Sequence, residues 1–129
     1  MTTPSVEPLV RAVYAALAVG DADALDAVLA PDFVGEVADG MPVGAGRHEG
    51  PQAMREHGWW AIGRRYAVLA EPEEFVGCGD GRLLVTGRYR GTRRADGFAV
   101  DAAFTHLWTS RDGRLTALTQ VTDTARWTP

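Results

Sequence analysis

The chain has 129 residues, of which 46% are hydrophobic and 23% are charged, so it has room for one domain with one core, and intrinsic disorder and collagen-like repeats are excluded. The net charge of −4 argues against a general nucleic-acid binder, which usually carries a basic surplus. No apolar stretch approaches the roughly 20 residues of a membrane-spanning helix, and the single cysteine, Cys78, cannot form an internal disulfide.

Two helices are predicted at the start of the chain. Apolar residues spaced three and four positions apart predict an amphipathic helix over residues 6–19, with Ser5 as its N-cap. Asp21 is the predicted N-cap of a second helix over residues 22–29, and Pro31 ends this helix because proline has no amide hydrogen to donate. Each helix has one apolar side, so we expect both to cover a core.

The next part of the chain predicts a strand, a loop and a third helix. Residues 33–37 alternate in polarity and predict a short strand, whereas residues 38–50 contain five glycines or prolines and predict a loop. Pro51 suits the first turn of a helix, so a third helix is predicted over residues 51–62.

The second half of the chain changes to a period of two, which is typical of strands. Asp-Gly pairs in the connections are the strongest short-range signal for hairpins. We therefore predict an α+β fold in which an antiparallel meander follows the helices and the helices cover one face of the sheet. The four predicted strands span residues 66–76, 82–92, 98–110 and 115–123.

Several short motifs follow one another along these elements. They are Gly20-Asp21 between the first two helices, LAPDF at 29–33, GRHEG at 46–50, VTGRYRGT at 85–92, THLW at 105–108 and DGRL at 112–115. In this order, the motifs and elements resemble the SnoaL-like branch of the NTF2-like superfamily over almost the whole chain. Members of that superfamily include ketosteroid isomerases, limonene epoxide hydrolases and polyketide cyclases.

The resemblance implies a fold and an assembly. The fold is a cone-shaped α+β barrel in which three N-terminal helices pack on a curved antiparallel sheet of four to six strands and enclose an apolar pocket. Residues 1–129 would form one such domain. We also expect a homodimer through the sheet and a small apolar ligand or substrate, with neither nucleic acid nor membrane as partner. The resemblance does not imply one reaction, because proteins of one fold differ in function.

The catalytic positions of two of these enzyme groups are replaced in this chain. The general base of ketosteroid isomerases corresponds to Met41, their oxyanion tyrosine to Val13 and their proton-sharing carboxyl to Thr105. The catalytic carboxylate of limonene epoxide hydrolases corresponds to Gln120. Steroid isomerisation and limonene-type epoxide hydrolysis are therefore disfavoured.

The resemblance also predicts which face of strand 98–110 lines the pocket. If Thr105 and Gln120 face the pocket, the period of two places further residues inside and turns His106 and Trp108 outward, into a dimer interface. One β-bulge would reverse these faces. The further inward residues would be Asp101, Ala103, Leu107, Leu118 and Thr122.

Two carboxylates are candidate catalytic groups. In an apolar pocket, Asp101 would have a raised pKa and could act as general base or acid; otherwise it is the solvated end of a strand. Asp39 lies on the glycine-rich loop, which could bring it over the pocket mouth, although aspartate beside glycine is also common in plain turns.

Histidines and tyrosines are the candidate proton donors. His57 lies three residues before Trp60 on the third helix, where it could transfer a proton or bond a ligand carbonyl. His106 could do the same, and the hydroxyls of Tyr14 and Tyr89 could polarise a carbonyl as oxyanion-hole donors. The alternatives are a surface histidine, a packed strand histidine and core aromatic residues.

The pocket walls are predicted to be aromatic. One of Trp59 and Trp60 should point inward and provide a flat wall for a ring-shaped ligand. The histidines lack the spacing of metal ligands and no phosphate-binding loop is present, so we expect no metal and no cofactor. The predicted substrate-binding residues are Met41, Trp59, Trp60, Thr105, Leu118, Gln120 and Thr122.

Three functions remain open at this point. The first is a cofactor-independent isomerase- or cyclase-type acid–base enzyme that acts on a small apolar metabolite with a carbonyl or an epoxide, as in bacterial polyketide biosynthesis. The second is a non-catalytic small-molecule-binding protein, which the four replaced positions favour. The third is an association module that uses the sheet face.

The start of the chain and its basic residues favour a location and a source. No basic segment followed by an apolar one opens the chain, so we expect a cytoplasmic protein without a signal peptide. All basic residues are arginine and none is lysine, a bias that is typical of GC-rich bacterial genes.

Overall fold

The computed structural model describes residues 6–129 and begins with two helices. Helix α1 spans Val6–Val19 and helix α2 spans Ala22–Val28. Asp21 caps α2 as predicted, because its carboxylate accepts a backbone hydrogen bond from the first turn at 3.1 Å. The predicted N-cap of α1, Ser5, lies outside the described residues.

The third helix, α3, differs from the prediction in its interior. It consists of an α-helical turn at Pro51–Ala53, a π-helix at Met54–Trp59 and an α-helix at Trp60–Arg65. In the π-helical part the hydrogen bonds reach one residue further back than in an α-helix, as from the Trp60 amide to the Arg55 carbonyl. The predicted helix is therefore present, but its centre does not keep the 3.6-residue period.

Six strands form one sheet beside these helices. They are β1 (Leu29–Val37), β2 (Gly46–Glu49), β3 (Tyr66–Gly79), β4 (Arg82–Arg93), β5 (Ala99–Arg111) and β6 (Arg114–Thr122), and a 3-10 turn at Thr124–Arg126 follows. The order across the sheet is β2-β1-β6-β5-β4-β3. The β1–β6 pair is parallel, and the other four neighbouring pairs are antiparallel. The prediction of three helices packed on a curved sheet in an α+β fold is confirmed, but the sheet is mixed and not purely antiparallel as predicted, because β1 and β6 run parallel.

Two details of the first half of the chain were predicted wrongly. Strand β1 already begins at Leu29, so Pro31 lies inside the strand instead of behind the helix. Residues 46–49 form the edge strand β2 although the glycine content predicts a loop, because their backbone pairs with β1 from Val34 to Val37. Backbone pairing of this kind requires no apolar side chain, so the sequence pattern does not reveal it.

Glycines shape the hairpins and the bend of the sheet. Asp80 and Asp112 each have a φ of 53° and precede a glycine with positive φ, as the predicted Asp-Gly hairpins require. Gly87 of β4 lies so close to the carbonyl of Glu71 in β3 that a side chain would overlap it. The register of this strand pair shifts just after Pro72, and such a bulge bends the sheet.

The core lies between the sheet and the first two helices. Val10 and Val13 of α1, Leu25 of α2, Phe33 of β1 and Leu115 of β6 are fully buried there. Towards α3, the helices and the sheet do not close completely and leave a cavity. None of the helices among residues 6–129 has the length and apolar character needed to cross a membrane.

Candidate functional site

The cavity has a volume of about 190 Å³ and lies between helices α1 and α3 and the inner face of the sheet. All four tryptophans of the chain line it: Trp59 and Trp60 of α3, Trp108 of β5 and Trp127 behind the last 3-10 turn. Aliphatic side chains complete most of the wall. The volume and the flat aromatic walls suit a mostly apolar molecule of one or two rings.

Strand β5 supplies the polar centre of the cavity. His106 and Trp108 are buried on its inner face, whereas Thr105 is half-buried on the outer face. In β6, Gln120 pairs with His106, and directly paired residues of antiparallel strands share one face. The predicted orientation of this strand is therefore wrong: Thr105 and Gln120 lie on opposite faces, and His106 points inward.

Hydrogen bonds converge on His106 from both sides. The Nδ1 atom lies 2.7 Å from the hydroxyl of Tyr14, and the Nε2 atom lies 2.6 Å from the hydroxyl of Tyr89. The Trp108 indole donates to the Tyr14 hydroxyl at 3.3 Å, and the Gln120 amide donates to the Tyr89 hydroxyl at 3.0 Å. We call Tyr14, His106 and Tyr89 the tyrosine–histidine cluster.

Four different elements hold the tyrosine–histidine cluster in place. Tyr14 comes from α1, Tyr89 from β4 and His106 from β5. Gln120 of β6 is fixed in turn, because its Oε1 atom accepts the backbone hydrogen of Ala38 at 3.1 Å. A backbone amide can only donate, so the Gln120 Nε2 group must point towards Tyr89.

Burial keeps the tyrosine–histidine cluster uncharged. The loss of water around the imidazole lowers the pKa of His106 from 6.5 to about 3. Burial likewise raises the pKa values of Tyr14 and Tyr89 above their ordinary value, and the hydrogen bonds from Trp108 and Gln120 offset this only in part. At neutral pH the cavity therefore presents neutral hydroxyl groups that can donate a hydrogen bond.

The chemistry of the cavity wall suits an organic carbonyl better than an ion. Its polar groups are hydroxyl, imidazole and amide, set among aromatic rings. Within residues 6–129, no three His, Cys, Asp or Glu side chains come together in a way that could hold a metal ion. A neutral hydroxyl in an apolar cavity is a strong donor to a carbonyl oxygen, because no water competes for the bond.

Comparison with known proteins identifies the family. The model of the SnoaL-like domain matches residues 10–118 of the chain. The chain belongs to the SnoaL-like family. The resemblance that the motifs predict is thereby confirmed, and an NTF2-like protein from Burkholderia thailandensis has the same fold: it is 24% identical, with a TM-score of 0.86 over 96% of this chain and 95% of that chain.

Two further solved structures resemble this SnoaL-like domain. A candidate polyketide cyclase from Sinorhizobium meliloti is 31% identical, with a TM-score of 0.69 over 88% of this chain and 94% of that chain. TerC, crystallised with polyporic acid, is 25% identical, with a TM-score of 0.80 over 93% of this chain and 92% of that chain. A search of curated proteins found no significant match.

Neither predicted catalytic carboxylate lies in the cavity of this SnoaL-like domain. Asp101 is exposed on the outer face of β5, where its carboxylate lies 2.6 Å from the Arg88 guanidinium and 3.6 Å from that of Arg90. The hydrogen bond from Arg88 holds the pKa of Asp101 below its ordinary value, the opposite of the predicted shift. Asp39 is exposed at a shallow groove formed by β1, β2 and β6.

Four other predicted site residues also lie away from the cavity. His57 is exposed on the π-helical part of α3, and Met41 is packed in the hydrophobic core. Thr105 lies on the outer face of the sheet, and the Thr122 hydroxyl donates to the Ala103 carbonyl at 2.8 Å. A homodimer through the sheet stays a prediction. Because Thr105 lies on the outer face and His106 and Trp108 are buried, such a dimer would contact Thr105 instead of those two residues.

The remaining predicted residues do come together at the cavity. They are Tyr14, Trp59, Trp60, Tyr89, His106, Leu118 and Gln120. The prediction that only one of the adjacent tryptophans faces inward is wrong, because the wider turn of the π-helix brings both to the cavity. Trp127 was not predicted as a wall residue, and the number of tryptophans in so small a chain was the only sequence signal for it.

Proposed function

We propose that this SnoaL-like protein is a cofactor-independent isomerase- or cyclase-type enzyme that acts on a small, mostly apolar metabolite with a carbonyl group. The observation that carries the proposal is the tyrosine–histidine cluster inside an aromatic cavity. The cavity wall binds the apolar rings, and a tyrosine hydroxyl donates to the carbonyl oxygen. This hydrogen bond stabilises the negative charge that develops on the oxygen when the carbonyl compound becomes an enol.

The relatives support the same class of ligand. The relative from Sinorhizobium meliloti is described as a candidate polyketide cyclase, and TerC was crystallised with polyporic acid. Of the two groups considered for the substrate, the cavity favours the carbonyl over the epoxide. Epoxide hydrolysis calls for a carboxylate that activates water, and no Asp or Glu among residues 6–129 lines the cavity.

The test uses 2-tetralone, a compact two-ring ketone whose C–H bonds beside the carbonyl exchange with solvent through the enol. Quenching of the four cavity tryptophans measures binding, and proton NMR in D₂O measures exchange at the carbon between ring and carbonyl. We expect wild-type protein to bind the ketone and to accelerate the exchange. Tyr66→Phe is the matched control, because this hydroxyl donates to the Trp127 carbonyl and does not line the cavity.

A second candidate function is binding without catalysis. It is favoured by the lack of a carboxylate among the described cavity residues and by the weak basicity of His106. Saturable quenching by 2-tetralone without any acceleration of exchange would select this function. Absence of both quenching and exchange would contradict the two candidate functions together.

A further inference from the structure

The two ring nitrogens of His106 determine which groups of the cluster donate a hydrogen bond and which accept one. A neutral imidazole carries one N–H group and one lone pair. Because Nδ1 and Nε2 are each within hydrogen-bond distance of a tyrosine hydroxyl, His106 donates to one tyrosine and accepts from the other. Which tyrosine donates depends only on the tautomer of His106.

The tyrosine that accepts from His106 has a free O–H hydrogen. Its oxygen already receives a second hydrogen bond, from Trp108 in the case of Tyr14 or from Gln120 in the case of Tyr89. Its own hydrogen therefore has no acceptor among the hydrogen bonds of the described cluster. Since both tyrosines line the cavity, either tautomer of His106 leaves one O–H group for a ligand.

We propose that the tyrosine–histidine cluster is a neutral proton relay, in which one tyrosine gives a proton to the bound carbonyl compound, the other takes a proton from it, and His106 passes from one tautomer to the other. This inference rests on the proposed function and specifies how the cavity performs it. It requires a ligand whose carbonyl oxygen reaches one tyrosine while its acidic C–H group reaches the other. In an enolisable ketone these two groups lie on adjacent carbons, so one small molecule carries both.

The transfer balances without a charged intermediate on the protein. In one direction, the Tyr14 O–H proton goes to the carbonyl oxygen and the Nδ1 proton of His106 moves to the Tyr14 oxygen. At the same time, the Tyr89 O–H proton moves to Nε2, and the C–H proton of the ligand goes to the Tyr89 oxygen. The C–H electron pair forms the new C=C bond, and the carbonyl π pair forms the O–H bond of the enol. The reverse transfer restores the ketone and the first tautomer.

A neutral relay fits the surroundings of the cluster better than a classical base. A tyrosinate or an imidazolium in this cavity would lose its hydration, and burial moves the pKa values of all three residues against ionisation. In the relay each group accepts a proton as it gives one away. The cluster therefore performs acid–base chemistry without the carboxylate that the cavity lacks among its described residues.

The first test compares variants in the exchange of 2-tetralone. We expect Tyr14→Phe and Tyr89→Phe each to slow exchange by about 100-fold, because either change interrupts the relay. The double variant should be no slower than the single variants, since groups that act as one unit are not additive. Tyr66→Phe should exchange like wild type.

The second test separates proton transfer from positioning by His106. His106→Gln keeps one donor and one acceptor but cannot interconvert them as an imidazole does. We expect this variant to bind 2-tetralone like wild type while it loses exchange to the same extent as the tyrosine variants. His106→Asn provides a second amide of different length, and circular dichroism checks that each variant is folded.

The third test needs no variant. Release of deuterium from 2-tetralone labelled beside the carbonyl is followed with wild-type protein in mixtures of H₂O and D₂O. Several protons in transfer make the rate a curved function of the deuterium fraction, whereas transfer of a single proton makes it linear. We expect a curved dependence.

The outcomes distinguish this inference from the proposed function. Exchange that persists in His106→Gln, additive losses in the double tyrosine variant, or a linear solvent dependence would overturn the relay and leave the enzyme assignment intact. Binding without exchange by wild-type protein would overturn the relay in favour of a binding protein. Failure of wild-type protein to bind 2-tetralone would contradict the proposed function itself.

Discussion

His106 shows how aromatic packing keeps an imidazole neutral in this protein. Its ring stacks on Phe104 with 4.0 Å between centroids and an angle of 19°, and on Tyr14 with 5.8 Å and 23°. Among residues 6–129 the two ring nitrogens are hydrogen-bonded to tyrosine hydroxyls and to no carboxylate, so no negative charge there stabilises the charged form. The ring nitrogens of His106 have hydrogen-bond partners, but burial removes the water that would stabilise a charged imidazolium. This loss of hydration lowers the pKa of His106.

The lowered pKa of His106 predicts a dependence of stability on pH. Between pH 6.5 and about pH 3 the unfolded chain binds a proton at this position that the native protein does not bind. The contribution of His106 to the free energy of unfolding is therefore complete above pH 6.5 and decreases as the pH falls. At pH 5 it should be lower by about 2 kcal/mol than at neutral pH.

Urea unfolding at pH 7 and pH 5 measures this dependence. His106→Gln should lose the part of the decrease that belongs to the histidine, and His57→Gln, at an exposed position, should keep the wild-type decrease. Equal pH dependence in wild type and His106→Gln would show that His106 is not held neutral.

For Asp101 we expect no role in catalysis. Its carboxylate is bound to Arg88 on the outer face of the sheet, away from the cavity. Asp101→Asn should therefore leave the exchange of 2-tetralone unchanged and have only a small effect on the free energy of unfolding, as for other exposed ion pairs. Loss of exchange in folded Asp101→Asn, measured by the same NMR assay, would return the carboxylate to the list of catalytic candidates.

At the scale of elements, the contact between β1 and α3 depends on the absence of one side chain. Met54 is fully buried in the π-helical part of α3, and its sulfur lies so close to Gly35 that a Cβ atom there would overlap it. Gly58 also packs against Met54, because a Cβ atom at this position would lie only 3.1 Å from the methionine methyl group. Two glycines thus allow the helix to approach the strand and bring Trp59 to the cavity.

This close approach predicts a stability difference between two glycine substitutions in strands. Gly35→Ala should lower the free energy of unfolding by about 1–3 kcal/mol, because Met54 must move in a packed core. Gly77→Ala in β3 is the control, since an added Cβ meets no atom within 4 Å there and the effect should be small. Chemical denaturation compares the two, and equal effects would mean that Met54 moves aside easily.

The sequence predicted elements well where periodicity decides them. The four long strands and the three Asp-Gly connections between them follow from alternation and turn chemistry, and all are present. Strand β2 was missed because an edge strand of glycine and charged residues forms through backbone bonds alone. The π-helix was missed because one wider turn inside a helix is not marked by the spacing of its apolar residues.

The site was predicted less well than the fold for a related reason. The residue types were identified, since Tyr14, Tyr89 and His106 were all candidates and all line the cavity. The face of β5 was not, because the resemblance favoured Thr105 as an inward residue, whereas the apolar alternation from Val100 to Trp108 favours the opposite orientation. The pairing of His106 with Gln120 decides between them, and such pairing depends on the register with β6.

At the scale of the whole molecule, Trp127 closes one end of the cavity. Its indole packs edge-on against Tyr66 and Tyr89, each at 5.1 Å between centroids, and only 1% of the residue is exposed. Its carbonyl accepts a hydrogen bond from the Tyr66 hydroxyl at 2.9 Å, and its indole nitrogen donates to Thr122 at 3.2 Å. The last turn of the structure is therefore part of the cavity wall.

Trp127→Ala should consequently lower the free energy of unfolding by about 3–5 kcal/mol, as expected for removal of a buried tryptophan. Trp127→Phe should retain more of the stability and weaken the binding of 2-tetralone, because the wall loses part of its flat surface. Urea unfolding and fluorescence quenching by the remaining tryptophans measure the two effects. A loss below about 1 kcal/mol in Trp127→Ala would mean that the surrounding residues close the gap.

The parallel pairing of β1 with β6 also determines when the protein can become complete during synthesis. Residues 29–37 leave the ribosome early, but their parallel partner strand, Arg114–Thr122, is translated only after all other strands. Until then β1 has only the four-residue strand β2 beside it, and its other edge is unpaired. The sheet is therefore completed only when β1 and β6, which are far apart in the sequence, come together. Until that point the nascent domain is vulnerable to wrong pairing of its strands.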